Sequence, residues 1–266
     1  TEIYTLSLHD ALPILIADNG TQTMRPMVIT SAVLAFGLRS AARRSADEGP
    51  RARRAGRARS SPVKRDHDVL VAGAGPAGAH LALRLARAGW SVGLLDKRRF
   101  PRPKPCGEFL GPDCMPLLDE LDLLAPLERS GARRIDGMLL FGHGRRVRGL
   151  YGRLGGGARA GEHGLAIRRE VLDEQAVRAA AREPGVRLLE GWSASELLRD
   201  SAGRVLGLQV RDGAGERREL HAAFTVGADG LHSRVARALG AWERVPWLDR
   251  FALTARVPRG DLAEHS

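Results

Sequence analysis

The order of apolar and polar positions predicts a strand, a helix and a second strand within residues 67–96. Residues 67–73, HDVLVAG, form a short apolar run with β-branched side chains, which is typical of a buried central strand. Residues 76–89, PAGAHLALRLARAG, carry apolar side chains at helical spacing and end in Gly89, a residue favoured after a helix. The run 90–96, WSVGLLD, predicts the second strand. This pattern indicates a βαβ unit, and so an α/β fold with a parallel sheet.

After residue 96 the pattern departs from a regular alternation of strands and helices. A loop rich in Pro and Arg replaces the second helical crossover that a simple dinucleotide-binding domain would have. The remaining segments predict an amphipathic helix near 113–124, strands at 135–142 and 145–151, a helix at 166–182, a strand at 185–192, three antiparallel strands within 195–230 and a helix at 232–239. Short turns, SAG and GAGE, separate the antiparallel strands and suit hairpins.

Three glycines stand in the predicted turn between the first strand and its helix, with the spacing Gly73-x-Gly75-x-x-Gly78. Gly73 permits the tight turn, Gly75 lets the backbone approach a pyrophosphate, and Gly78 lets the helix pack closely on the strand. The N-terminus of the following helix offers unpaired N–H groups and about half a positive charge to phosphate oxygens. The glycine spacing therefore predicts a dinucleotide site.

An acidic residue completes this signature at the end of the second strand. Asp96 stands eighteen residues after Gly78, where its carboxylate can accept hydrogen bonds from the hydroxyls of an adenosine ribose. Its negative charge would repel a 2′-phosphate. Because NAD and FAD both contain ADP, the βαβ unit alone leaves the choice of dinucleotide open.

Composition and charge limit the kinds of binding partner and the cellular compartment that we expect. The net charge is +11, almost wholly from Arg, which suits either a nucleic-acid binder or the codon bias of a GC-rich genome. No basic stripe is interleaved with aromatic residues, so we expect no nucleic-acid partner. Cys106 and Cys114 are the two cysteines, and neither they nor the histidines have metal-ligand spacing. We therefore expect no metal, no disulfide and a cytoplasmic location.

The joint order of the motifs resembles that of a flavoprotein superfamily. After the glycine loop and its acid come Cys-Gly-Glu at 106–108, Arg-x-x-Leu-Asp at 169–173, the meander, and Gly-Ala-Asp-Gly-x-x-Ser at 227–233. Over about residues 66–266 this order is similar to the FAD-dependent monooxygenase and geranylgeranyl reductase superfamily, which has the aromatic-ring-hydroxylase fold. The resemblance implies an α/β fold: a Rossmann-like FAD-binding domain of the GR2 type, with a parallel sheet plus an antiparallel β-meander, and a β-sheet substrate domain.

The resemblance also implies which residues hold the cofactor. In that family the glycine loop lies against the FAD pyrophosphate and the acid holds the adenosine ribose. The Arg of Arg-x-x-Leu-Asp contacts FAD, and the Asp-Gly turn touches the pyrophosphate side and helps to place the nicotinamide cofactor. Carried onto this sequence, the expected cofactor-binding residues are Gly73, Gly75, Ala77, Gly78, Asp96, Lys97, Arg169, Asp229 and Gly230.

Each remaining candidate has a functional and a structural interpretation. Cys106 is either a thiol near the flavin or a small buried residue in a tight loop. Glu108 is either an acid near the substrate or a solvated loop carboxylate. Asp229-Gly230 is either the cofactor turn or an ordinary left-handed turn before a helix capped by Ser233. Ala236 stands where the family usually has Arg, which puts the contact with nicotinamide phosphate in question.

The activity implied by the resemblance is that of a FAD-dependent oxidoreductase. NAD(P)H would reduce the flavin, which then hydroxylates a small-molecule substrate or reduces an isoprenoid-like double bond, with peripheral contact to a lipid-like substrate. Cys-Gly-Glu resembles the reductase-like branch and favours the second reaction. The alternatives are a NAD-binding dehydrogenase domain and a non-catalytic nucleotide-binding fragment.

The ends of the chain are expected to lie outside the folded domain or to belong to an incomplete one. Residues 1–14 resemble the translation of a sequencing-library adapter, and 1–62 are predicted to be an artefactual or disordered leader. Within it, the apolar run 27–38 also suits a signal or transit peptide. We predict a FAD-binding domain at 63–240, with substrate-domain strands inserted at about 133–160. Residues 241–266 lack the family's later Gly-Asp-Ala motif and are predicted to begin a truncated substrate domain.

Overall fold

The computed structural model describes residues 15–17, 64–151 and 163–242 of the 266-residue chain. The strands and helices are, in chain order, β1 (Leu15–Ala17), β2 (His67–Ala72), α1 (Pro76–Arg87), β3 (Val92–Asp96), β4 (Phe109–Leu110), a 3₁₀ turn (Pro112–Cys114), α2 (Met115–Glu120), α3 (Leu124–Arg129), β5 (Arg133–Ile135), β6 (Gly137–Gly142), β7 (Arg145–Leu150), β8 (Gly164–Ala166), α4 (Arg169–Arg182), β9 (Val186–Glu190), β10 (Ser193–Arg199), β11 (Val205–Arg211), β12 (Arg217–Gly227) and α5 (Arg234–Ala238).

Seven strands of the described chain form the main sheet, in the order β10-β11-β12-β2-β3-β9, with β1 paired to β12. The strands β12, β2, β3 and β9 are parallel, and β10, β11 and the first half of β12 form an antiparallel meander. The predicted α/β fold, with a parallel sheet plus an antiparallel meander, is therefore confirmed.

Both faces of the parallel sheet are covered, and β2 shows how. Val69 and Val71 pack with α1 and α4 on one face, whereas Leu70 and Ala72 pack with the meander and α5 on the other. This alternation follows from the two-residue period of a strand. Because both faces are buried, β2 has the nearly continuous apolar sequence of a central parallel strand.

Two smaller sheets were only partly predicted. The hairpin β6–β7 lies within the predicted strands 135–142 and 145–151, and it exposes 62% of Leu140 and 59% of Val147. The short strands β4 and β8 pair with each other, and β8 also pairs with β5. The helix predicted from 166 begins at Arg169 instead, because Ala166 ends β8 and Arg168 is still extended.

The helix predicted near 113–124 is wrong in its extent, because the segment forms α2 and α3 with a turn between them. Asp122 adopts a left-handed φ of +58°, and the N–H of Leu123 bonds to the carbonyl of Leu118 at 2.8 Å. This is the hydrogen-bond pattern that ends a helix after a left-handed residue. Leu123 is buried, so the chain turns at Asp122 to bring it into the core.

Within the segment 1–62, the structure describes Leu15–Ala17 as the short strand β1. They pair antiparallel with residues 225–227 of β12, beyond the point at which β11 stops pairing with that strand at His221. Because an unpaired strand edge presents free N–H and C=O groups, it accepts a further strand. The rest of the leader and residues 243–266 lie outside the described residues, as does the loop 152–162.

In the described ranges 64–151 and 163–242, no helix combines the length and the apolar character needed to cross a lipid bilayer.

Candidate dinucleotide site

The glycine loop is fixed by close backbone contacts at the end of β2. Gly73 has a left-handed φ of +101°, and its N–H bonds to the carbonyl of Leu95 at 2.7 Å. A Cβ on Gly73 would overlap the carbonyl oxygen of Ala228, and one on Gly78 would overlap the carbonyl oxygen of Gly73. Neither position can therefore carry a side chain without a shift of the backbone. The roles predicted for these two glycines, a tight turn and close packing, agree with this geometry.

Gly75 differs from its two neighbours, because the space beside it is open. Among the described residues, a Cβ there would meet only the Nη2 atom of Arg102 within 4 Å, at 3.7 Å. Gly75 caps α1 without a side-chain hydrogen bond, Pro76 follows it, and the first turn, which contains Ala77, holds no acidic residue. The N–H groups of this turn thus have no acidic side chain within the turn itself. Such a helix N-terminus fits the diphosphate of a dinucleotide.

Asp96 ends β3 directly beside this loop and is 7% exposed. One carboxylate oxygen accepts the N–H of Ala74 at 3.1 Å, and the other accepts the N–H of Arg98 at 2.9 Å. These bonds orient the carboxylate next to the glycine loop. An ionised carboxylate has about four acceptor positions, so it can still accept ribose hydroxyls. Lys97, the next residue, is exposed.

The Gly-Ala-Asp-Gly turn after β12 packs against the glycine loop. The N–H of Ala228 bonds to the carbonyl of Ala72 at 2.7 Å, and the Cα of Asp229 lies 2.7 Å from the Cβ that Gly73 would carry. The two predicted loops are therefore adjacent. Gly230 has a left-handed φ of +86°, as the turn requires.

The carboxylate of Asp229 serves the turn itself in this structure. It accepts hydrogen bonds from the hydroxyl of Ser233 and from the N–H of Arg234, the latter at 2.7 Å. Ser233 in turn accepts the N–H of Ala236 at 2.9 Å and so caps α5. The turn is thus a capped helix start, as its structural interpretation expects, and it also lies against the glycine loop. Ala236, at the position where the family usually has Arg, is buried.

A chain of alternating charges leads from Asp96 to Cys106. Arg102 lies 3.4 Å from Asp96 on one side and 3.4 Å from Asp173 on the other. Asp173 is fully buried and accepts two hydrogen bonds from Arg169, at 2.9 and 3.2 Å. Arg169 also hydrogen-bonds Cys106. We call these five residues the arginine–carboxylate chain. It connects Arg169 and Cys106 to Asp96, which lies beside the glycine loop.

The guanidinium of Arg169 is stabilised in its charged form. Burial alone would lower the pKa of Arg169, but the hydrogen bonds and charge of Asp173, together with the contact with Cys106, raise it above its ordinary value. Arg169 therefore keeps its positive charge beside the loop that carries the Cys-Gly-Glu stretch. A fixed cation at this position suits an anionic ligand.

Glu108, the other candidate in this stretch, occupies a constrained position. It has a left-handed φ of +57°, and its carbonyl accepts the N–H of Ile167 at 3.0 Å. A non-glycine residue in this region of φ/ψ space costs of order 1 kcal/mol and is held by its surroundings. No cluster of His, Cys, Asp or Glu suited to a metal ion occurs among the described residues.

Three residues of the site were not predicted from the sequence. Glu190 accepts the N–H of Phe100 at 2.9 Å and so holds the loop that carries Arg102. Arg102 itself lies in a Pro- and Arg-rich stretch with no periodic signal. Asp173 stands in the quoted Arg-x-x-Leu-Asp motif, and its i, i+4 spacing from Arg169 was the available signal.

The model of the family described as FAD binding domain matches residues 66–247. The chain belongs to the FAD-binding domain family. The match spans the glycine loop, Asp96, the arginine–carboxylate chain and the turn at Asp229. It confirms the predicted resemblance and the flavoprotein class of the domain.

Similar proteins in this family include reductases and monooxygenases. The chain is 36% identical over 178 residues to menaquinone reductase from Mycobacterium tuberculosis, covering 66% of this chain and 41% of that protein. It is 30% identical over 175 residues to squalene monooxygenase from Mus musculus, covering 65% and 30% of the two proteins. The chain spans less than half of the length of these curated relatives.

A solved structure shares the fold. PqsL from Pseudomonas aeruginosa, in complex with 2-aminobenzoylacetate, aligns with a TM-score of 0.58 at 26% identity, covering 67% of this chain and 47% of PqsL. The chain therefore shares the fold of this solved structure over about two thirds of its own length.

Proposed function

We propose that this chain is the cofactor-binding part of a FAD-dependent oxidoreductase that takes its electrons from NAD(P)H. The observation that carries the proposal is the contact between the Gly-Ala-Asp-Gly turn and the glycine loop, in which Asp229 lies beside Gly73. A domain for NAD alone needs only the glycine loop and the acid that follows it. The Gly-Ala-Asp-Gly turn would let a second loop contact the same dinucleotide.

The described residues divide the binding of FAD among them. The first turn of α1, with Gly75 and Ala77, would hold the diphosphate, and Asp96 would accept the ribose hydroxyls. Arg169 would supply a fixed positive charge, and Asp229 with Gly230 would close the site from the other side. FAD, when bound, supplies the capacity to accept a hydride and to pass electrons to oxygen or to a double bond.

For the second half-reaction we favour reduction of an isoprenoid-like double bond or a related apolar group. The proposal is supported by the similarity to menaquinone reductase and by the Cys-Gly-Glu stretch, whose Cys106 contacts Arg169. Hydroxylation is the second candidate, supported by the similarity to squalene monooxygenase. The proposed partner is thus a small lipid-like molecule, with no nucleic acid, and the proposed location is the cytoplasm.

A flavin titration tests the proposal. We expect the purified chain to bind FAD in a 1:1 complex, with quenching of flavin fluorescence, and ADP to compete because it shares the diphosphate and ribose contacts. D96N should weaken FAD binding, whereas D119N, a change of an exposed carboxylate on α2, should leave it unchanged. Binding of NADH but not of FAD would contradict the proposal and favour the dehydrogenase alternative.

The electron donor and acceptor are tested by rapid mixing. With FAD bound, NADH or NADPH should bleach the flavin absorbance under anaerobic conditions. Uptake of oxygen in proportion to NAD(P)H only when an apolar substrate is present would favour hydroxylation over reduction. A flavin complex that neither nucleotide reduces would overturn the assignment of NAD(P)H as donor.

A further inference from the structure

Arg102 is a charged group of the candidate site with a buried donor that has no acceptor among the described residues. It is 14% exposed, and its Nε atom is buried with no hydrogen-bond partner among the described residues. Its ion pairs to Asp96 and Asp173 both measure 3.4 Å, which is long for a charge-assisted hydrogen bond. A buried donor without an acceptor costs of order 1–3 kcal/mol. Such a group suits an acceptor that arrives with a ligand.

The guanidinium also lies where the ligand's charge is expected. Its Nη2 atom is the one neighbour that a Cβ on Gly75 would meet within 4 Å among the described residues. That atom therefore stands at the open side of the glycine loop, in front of the first turn of α1. The ring of Phe100 lies under the guanidinium, with its centroid 4.9 Å away. A planar cation held in this way can present its edge to an oxyanion.

Asp173 can hold Arg102 while the contact with Asp96 changes. Asp173 is fully buried within α4 and is anchored by its two bonds to Arg169, so its position does not depend on Arg102. Asp96, in contrast, is also bonded to the backbone of the glycine loop and offers its remaining acceptor positions to ribose. Ribose hydroxyls bound to Asp96 would compete with Nη2 of Arg102, and the guanidinium would then have free donors for the diphosphate.

We propose that Arg102, held in place by Asp173, is a diphosphate-binding residue of this site. The inference rests on the proposed dinucleotide function and assigns a side chain that neither the glycine spacing nor the motifs indicate. In this arrangement Arg102 exchanges one partner, Asp96, for the phosphate oxygens and keeps the other. Asp173 is a positioning residue, because it acts through the arginine.

The test compares ligands with and without the diphosphate. FAD, ADP and adenosine are titrated into the wild-type chain, R102Q, R102K and the control R98Q, whose side chain is exposed in the same loop. We expect R102Q to lose about tenfold to a hundredfold in affinity for ADP and FAD, as for a lost hydrogen bond to a charged group. Adenosine should bind R102Q within about twofold of the wild type, because Asp96 remains available. R102K should recover part of the affinity for ADP, and R98Q all of it.

Other outcomes distinguish a failure of the inference about Arg102 from a failure of the proposed function. Equal losses for adenosine and ADP in R102Q would show that Arg102 acts only through Asp96, and unchanged affinity for both would show that it is structural; either result overturns the inference. A wild-type chain that binds ADP but not FAD would contradict the proposed function and leave the role of Arg102 standing. A wild-type chain that binds none of the three ligands would overturn both.

Substitution of Asp173 gives a second, independent test of the inference. In D173N the loss for ADP should match that of R102Q, and the double variant R102Q/D173N should show no further loss. A D173N protein that folds and binds ADP as the wild type does would contradict the positioning role. Should D173N fail to fold, the comparison of R102Q with R102K and R98Q still decides whether Arg102 binds the diphosphate.

Discussion

The two parts of the candidate site are built in different ways. The glycine loop and the turn at Asp229 are joined by backbone contacts, such as the bond from Ala228 to Ala72, and no side chain fits between them. The arginine–carboxylate chain consists of side chains, and its members come from the end of β3, from the loop after it and from α4. The first part has one shape set by the strands, whereas the second depends on the pairing of buried charges.

Because the two parts are built differently, substitutions in them should have different energetic costs. A change in the glycine loop alters the volume at a backbone contact, so its cost depends on the space beside that one residue. A change in the arginine–carboxylate chain leaves partner charges buried and unpaired, so its cost spreads to the neighbours. Substitutions of Asp173, Gly78 and Gly75 separate these two behaviours, and a substitution of His80 on the adjoining helix has the weakest expected effect.

Asp173→Ala should have the largest effect on stability. The substitution removes the carboxylate between Arg102 and Arg169, whose side chains are 14% and 17% exposed, and leaves two like charges close together. We expect the free energy of unfolding to fall by about 3–5 kcal/mol in urea denaturation followed by circular dichroism. Asp119→Ala, on the exposed side of α2, is the control and should cost less than about 0.5 kcal/mol. A loss below about 1 kcal/mol for Asp173→Ala would contradict the account.

Gly78→Ala should come next. Its Cβ would overlap the carbonyl oxygen of Gly73, so the helix must move away from the loop. The expected loss is about 1–3 kcal/mol, which is typical of overpacking at a tight contact. The same measurement on Gly75→Ala, where a Cβ finds open space, should show a change below about 0.5 kcal/mol. Equal losses for the two variants would be incompatible with the backbone contact described here.

Gly75→Ala should instead affect binding. Its methyl group would stand 3.7 Å from Nη2 of Arg102, in the space in front of the first turn of α1. We expect the affinity for FAD to fall about tenfold or more, while the melting temperature stays within about 2 °C of the wild type. Gly111→Ala, where a Cβ would meet no atom of the described residues within 4 Å, serves as the control and should bind FAD normally. If Gly75→Ala bound FAD with normal affinity, the glycine loop would not be the part of the site that contacts the diphosphate.

The smallest effect is expected at His80, on the helix that follows the glycine loop. Burial, and then the charge of Arg84, lower the pKa of His80, while Glu120 opposes them. The folded state therefore favours neutral His80, so stability is full above the ordinary histidine pKa of about 6.5 and falls as the pH drops through it. The melting temperature of His80→Gln should fall less between pH 7 and pH 5 than that of the wild type, by at most about 4 °C.

The control for this pH effect is His143→Asn, at an exposed turn between β6 and β7. It should keep the pH dependence of the wild type, because its side chain is not packed in the core. If His80→Gln and His143→Asn lose the same number of degrees between the two pH values, burial of His80 does not contribute to acid sensitivity.

The backbone-built part of the site could be predicted from the sequence. The glycine spacing, Asp96 and the Gly-Ala-Asp-Gly turn stand at the ends of β2, β3 and β12, and the carboxyl ends of parallel strands meet at one edge of a sheet. Apolar runs identify those strands, so the position of each motif along the chain predicts its position in space. The short strands β4 and β8 carry too few residues for a period to be recognised.

The side-chain-built part could not be predicted in the same way. Arg102 and Asp173 are far apart in the sequence, and the chain holds 42 Lys and Arg residues that could pair with Asp173. Which arginine pairs with it depends on the path of the loop after Asp96, which Glu190 and Arg178 hold in place. No local pattern encodes that path. The motif Arg-x-x-Leu-Asp predicted that Arg169 belongs to the site. The fold shows a role for its final Asp, because Asp173 pairs with both Arg169 and Arg102.

Hydrogen–deuterium exchange with and without FAD reports on the glycine loop and on the Asp229 turn in one experiment. We expect FAD to slow exchange at residues 74–79 and also at residues 228–231, while exchange in the exposed hairpin 137–150 stays unchanged. Protection of the glycine loop alone, with the Asp229 turn exchanging as in the free protein, would contradict the claim that the two loops bind one dinucleotide.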